Sequence, residues 1–234
     1  MKQHSSSLVI GVVVSIVLGF GIVAGVWLSL RSASALGYEP DVLRATKTGP
    51  NSAKLSLSTF PDSMVCHGDG GGAHPDWVTY CPSTSLEVPA NSIVTIEIKN
   101  YDSSTPLHND YFQHVRGTVG GVEIVNNKPI TQIDIGGAGH TFTIQSPPDT
   151  LYPLFVSVPV VGVPDNETAT ENVAGQSYPK PTIISFQIQT GPPGSYIWHC
   201  YDPCGSGLQG SNQGFGGPMS TTGYMAGTLT VSSY

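Results

Sequence analysis

Charge is what this sequence has least of. Only 11% of its 234 residues are Asp, Glu, Lys or Arg, against a usual share of about 25%. Basic residues are the scarcer sign: 9 Lys and Arg stand against 16 Asp and Glu, a formal net charge of −7. That balance argues against a nucleic-acid partner, because neutralising phosphates takes a basic face. Common catalytic signatures are missing as well. Gly-x-Ser-x-Gly does not occur, so there is no nucleophile elbow. Gly68–Gly72 is glycine-rich but carries no phosphate-loop lysine and precedes no helical pattern. No two carboxylates are spaced for acid–base work. Beyond residue 31 no stretch combines a 3.6-residue apolar period with helix caps, which excludes a helical domain.

What is present points to strands. Apolar residues make up 39%, enough for a core, and 28 Gly with 19 Pro supply frequent turns. The clearest alternations are Ser92–Lys99 and Thr182–Gln189. Shorter strand signals fall at Lys54–Ser58, Gly121–Val125, Thr131–Ile135, Thr141–Gln145, Ser195–His199 and Thr228–Ser232. Leu151–Val163 is apolar but broken by proline, which suits an irregular or edge segment. About eight strands of this kind predict an all-β sandwich.

The chain divides into residues 1–31, a polar tether over 32–53, and the β domain over 54–234. Leu8–Leu30 is an uncharged run of 23 residues, long enough to span about 30 Å of hydrocarbon. A retained single-pass anchor is favoured by that length. Ser32–Ala35 would serve as a cleavage site if the run were a signal peptide. Either way the β domain is expected outside the cytoplasm, on the extracellular or periplasmic side of the plasma membrane. The four cysteines, Cys66, Cys81, Cys200 and Cys204, all lie in that domain, and their even number agrees with export. Cys66 and Cys81 are expected to form a disulfide; with His67 and His74 they could otherwise hold zinc, at an unusual spacing. Asn166-Glu167-Thr168 is a glycosylation sequon.

The chemistry-bearing residues gather toward the C-terminus. His140 opens a strand, Cys200 follows one, and Met225 precedes the last. Imidazole, thiolate and a weak thioether are the donors of a copper electron-transfer site. Each also has an ordinary reading: a buried, hydrogen-bonded histidine, a disulfide between Cys200 and Cys204, a core methionine.

The segments His140-Thr-Phe-Thr-Ile144, Gly194-Ser-Tyr-Ile-Trp-His-Cys200 and Tyr224-Met-Ala-Gly-Thr-Leu-Thr-Val231 resemble those that carry the copper ligands in the cupredoxin superfamily. Cys200-x-x-x-Cys204-Gly205 resembles the dinuclear copper loop of cytochrome oxidase subunit II. The resemblance covers residues 84–234. It implies a cupredoxin-like Greek-key β-sandwich and a ligand set of His140, Cys200, Cys204 and Met225. It also implies one or two copper ions, and a non-enzymatic electron carrier that works at the membrane, beside an oxidase. The sequence departs from the family at the second imidazole. Ser220, Thr221 and Thr222 stand where that histidine is expected before the methionine, and Leu208 stands at its place in the dinuclear loop. A multicopper oxidase is excluded, since Tyr201 follows Cys200 and no His-x-His pair occurs. The alternatives are a copper-free structural or docking subunit of a membrane complex, with Cys200 and Cys204 oxidised, and copper delivery or storage through an incomplete, exchangeable site.

Overall fold

A computed structural model describes residues 41–203, 214 and 216–234, together with residue 21. The expected anchor over Leu8–Leu30 therefore lies outside the described residues apart from Gly21, and so do Ser32–Ala35, Cys204 and Leu208. Among the described residues no helix is long and apolar enough to cross a membrane.

Two sheets carry the fold, their strands numbered in chain order. One runs β1 (Leu43–Arg44), β5 (Ser85–Pro89), β15 (Ala226–Ser232), β14 (Gly194–His199), β9 (Ala138–Gln145), β10 (Val156–Val161). The other runs β2 (Thr46–Gly49), β3 (Ser52–Phe60), β6 (Ile93–Asn100), β13 (Thr182–Gln189), β7 (Glu123–Val125), β8 (Lys128–Ile130). In addition, β4 (Thr79–Cys81) pairs with β3, and β11 (Thr170–Val173) with β12 (Gln176–Pro179) forms a separate hairpin. Most neighbours are antiparallel, but β1 with β5, β3 with β6 and β5 with β15 are parallel. The chain leaves the second sheet after β4, enters the first as β5, and returns as β6.

Period-two burial explains the strands. Ala53, Leu55 and Leu57 of β3, Val94, Ile96 and Ile98 of β6, and Ile184, Phe186 and Ile188 of β13 point inward. Facing them are Leu86 and Val88 of β5, Phe142 and Ile144 of β9, Tyr196 and Trp198 of β14, and Leu229 and Val231 of β15. Each side chain of this size contributes about 1.5–3 kcal/mol on burial. The sheets close in around Trp198, whose indole N–H donates to the Thr84 carbonyl at 3.0 Å. Gly227 pairs with Trp198, and a Cβ there would overlap that same carbonyl.

Several sequence expectations shift. The tether assigned to 32–53 already contains β1 and β2, and Arg44 is ion-paired with Glu87 of β5 at 2.7 Å. The strand expected at Thr131–Ile135 is not one: β8 ends at Ile130. Asn126 and Asn127, at φ 46° and 68°, form a two-residue hairpin turn that sets β8 against β7. After it the chain bonds to a loop instead, with Val115 N–H on the Thr131 carbonyl at 2.9 Å and Ile133 N–H on the Gln113 carbonyl at 3.0 Å. The proline-broken stretch contains the regular strand β10. It is an edge strand, where Pro159 costs no ladder bond to an inner neighbour.

Cys66 and Cys81 are disulfide-bonded, with their Cα atoms 5.8 Å apart. The zinc alternative at these cysteines is thereby overturned. Glu123 of β7 is fully buried, and neither carboxyl oxygen has a hydrogen-bond partner among the described residues. Burial pushes its carboxyl up to about 9.

Candidate functional site

Strand parity assembles the site. On β14, Tyr196 and Trp198 face inward and Ile197 and His199 outward, so Cys200, the next residue, faces inward again. On β15 the inward set is Gly227, Leu229 and Val231, and Met225 extends it by one step. On β9, His140 shares its face with Phe142 and Ile144. These strands are adjacent in the order β15–β14–β9, and strands pair about 4.8 Å apart. His140, Cys200 and Met225 therefore meet at one end of the sandwich, all three fully buried. Cys200 N–H donates to the Met225 carbonyl at 3.0 Å, locking the two segments together.

The sulfur of Cys200 sits in a polar collar. Thr141 N–H donates to its Sγ at 3.2 Å and Asp202 N–H at 3.3 Å. Such N–H groups stabilise negative charge on sulfur, as a thiolate ligand requires. Thr141 is tied on its other side, where its hydroxyl accepts the Tyr201 N–H at 2.7 Å. His140 is held from outside the site: its Nε2 lies 3.0 Å from Oδ2 of Asp102. Burial alone would lower the His140 imidazole, but hydrogen bonds and charge from Asp102 and Cys200 outweigh it and push it up to about 10. Aromatic rings seal the site from below. Tyr80 stands edge-on to His140, Phe142 and Trp198, at centroid distances of 6.4, 6.1 and 4.9 Å.

Four further histidines fall into two groups. His199 points away from Cys200, as alternation predicts; its Nδ1 donates to the Cys200 carbonyl at 3.1 Å. With His108, Phe112, Tyr201, Met219 and Thr222 it lines an open cavity of about 770 Å3. Ser220 and Thr222, two of the positions where the family would carry its second imidazole, border this cavity. His67, from the disulfide-closed loop, reaches the turn before Met225. Its Nε2 lies 2.8 Å from the Gly223 carbonyl and its ring stacks on Tyr224 at 4.4 Å. His74 stacks on Trp77 at 3.6 Å.

Of the expected ligands, His140, Cys200 and Met225 come together, while Cys204 lies outside the described residues. Among the described residues no group of three or more His, Cys, Asp or Glu is placed to hold a metal. The donor set is one imidazole, one thiol and one thioether. It fits a soft ion such as Cu(I), and it is one imidazole short of a blue-copper set. Sequence reasoning missed Asp102 and the Thr141 N–H. Asp102 sits in a polar run after β6, where nothing marks it as a partner of His140.

No family model matches the chain, and no curated protein matches it. Among solved structures it is similar to auracyanin B and to the copper protein rusticyanin. Auracyanin B is 18% identical, with a TM-score of 0.31, over 80% of this chain and 94% of that one. Rusticyanin from Thiobacillus ferrooxidans is 13% identical, with a TM-score of 0.33, over 80% of this chain and 86% of that one. Reduced rusticyanin is 14% identical, with a TM-score of 0.32, over 87% and 96%.

Proposed function

We propose that this chain is a cupredoxin-type copper protein that carries single electrons and catalyses no reaction of its own. One observation supports this above the others: three soft donors, His140, Cys200 and Met225, face inward at one end of three adjacent strands, with two backbone N–H groups on the Cys200 sulfur. His140, Cys200 and Met225 would hold the ion, and Cys204 is the candidate fourth donor or bridge to a second ion. Copper bound there supplies a one-electron couple. The protein's part is to keep that couple dry and rigid. Trp198, Phe142 and Tyr80 exclude water, and the strand pairing of Cys200 with Met225 fixes the sulfur atoms. Leu8–Leu30 would anchor the domain to the outer face of the plasma membrane, beside a membrane oxidase as electron partner.

The second reading is a copper-free subunit that docks within a membrane complex. The serine and threonines at 220–222 favour it, because they leave the site without a second imidazole. Copper titration of the full chain, under reducing and then oxidising conditions, separates the two. Intense visible charge-transfer bands with one or two copper ions per chain, lost in Cys200→Ser, support the carrier. No bound copper, with no reactive thiol at Cys200 or Cys204, supports the docking subunit.

A further inference from the structure

We infer that Asp102 is a positioning residue that fixes the proton of His140 on Nε2 and so reserves Nδ1 for a metal ion beside Cys200. This rests on the reading of His140 and Cys200 as ligands.

The argument begins with the carboxylate's own anchorage. Asp102 follows β6 in a turn that Asn100 builds: Asn100 Oδ1 accepts the Asp102 N–H at 3.1 Å. The Asn100 amide donates to the carbonyls of Asp102 and Val161 at 3.1 and 2.9 Å. The Asp102 carbonyl also accepts the Val163 N–H at 2.8 Å. One side-chain oxygen, Oδ1, accepts the Ser103 N–H at 2.8 Å. The other, Oδ2, is thereby aimed at His140 Nε2, 3.0 Å away. The side chain of Asp102 is 17% exposed and that of His140 is not exposed at all, so the pair spans from the rim of the sandwich to its interior.

A carboxylate accepts hydrogen bonds and cannot donate them. Nε2 must therefore carry a proton. Nδ1 is left as the ring nitrogen that can give up its proton to bind an ion. A carboxylate behind a ligating imidazole fixes its tautomer, steadies its plane and raises its basicity.

Asp102→Asn separates this role from a merely structural one. An asparagine can keep Oδ1 on the Ser103 N–H, so the turn survives. It then turns an amide N–H2 toward Nε2, which has to accept, and the proton moves to Nδ1, the position a metal would need.

The test uses nitrogen-15 NMR of the full chain, without metal and with Ag(I) or Cu(I), with thermal melting as the control for folding. In the unsubstituted protein a slowly exchanging Nε2 proton on His140 is expected in both states. In Asp102→Asn that proton is lost, and Cu(I) affinity, measured by chelator competition, falls about 10- to 100-fold. An Nε2 without a proton in the unsubstituted protein overturns the proposal with no variant needed. So does an Asp102→Asn protein that keeps the Nε2 proton and full Cu(I) affinity. If the unsubstituted protein shows the Nε2 proton but binds neither ion, the tautomer assignment stands and it is the copper reading that fails.

Discussion

Thr141 and Cys200 are joined across two strands by a backbone N–H that points at a sulfur, 3.2 Å away. A second N–H, from Asp202, reaches the same atom at 3.3 Å. Together they make the position selective for a large, polarisable acceptor. Cys200→Ser is therefore expected to fold, to abolish visible charge-transfer absorption in copper-treated protein, and to lower bound metal at least tenfold. Absorption spectra and metal analysis on the same sample check this.

The hydroxyl of Thr141 has a different task, accepting the Tyr201 N–H at 2.7 Å within the core. Thr141→Val keeps the shape and leaves that donor unpaired. A loss of about 1–3 kcal/mol in denaturant unfolding is expected, with the Thr141 N–H still on sulfur and copper binding little changed.

Trp198 fills the centre of the sandwich, and Trp198→Ala is expected to cost about 3–5 kcal/mol by opening a cavity between the sheets. Ile197 on the same strand faces solvent. Ile197→Ala should stay within about 0.5 kcal/mol, and chemical unfolding of both variants gives the contrast.

Glu123 gives the fold a pH dependence of definite sign. Its folded-state carboxyl is raised to about 9 from an ordinary 4.5, so the native state holds a proton that the unfolded chain has released. That contribution is complete below pH 4.5. It erodes as pH rises from 4.5 to about 9, by about 1.4 kcal/mol per unit at most. Melting temperature is expected to fall across this window, and Glu123→Gln should flatten the slope. An equal slope in both proteins would rule Glu123 out as its source.

The disulfide joins Cys66 to Cys81 at a sequence separation of 15, and the segment it closes delivers His67 to the turn before Met225. Cys66→Ser with Cys81→Ser is expected to cost about 3 kcal/mol and to loosen Tyr224, read from its stacking-shifted ring resonances.

Legibility in the sequence followed the physics of each element. Ile93–Asn100 and Thr182–Gln189 alternate because one face of each is core, and both were placed to within a residue. Thr170–Val173 and Gln176–Pro179 were not anticipated, since a hairpin that joins neither main sheet and fully buries only Tyr178 shows no apolar period. Thr131–Ile135 alternates without a buried face: its backbone bonds to Gln113 and Val115 of a loop, and Ile135 is exposed. The disulfide was expected from cysteines in an exported domain, and the grouping of His140, Cys200 and Met225 from a family resemblance, which strand parity makes possible. Asp102 could not be found that way, because its contact with His140 joins a turn after β6 to β9 in the other sheet.

The parallel pairing of β5 with β15 reaches beyond architecture. Ser85 lies beside Thr228, and β15 occupies the interior of its sheet between β5 and β14. During synthesis the N-terminal strands emerge with a slot in their sheet that only a much later segment can fill. Contacts so distant in sequence form slowly. The first sheet therefore cannot close until the last of its strands has been made, and β5 and β14 keep an unpaired edge toward each other until then.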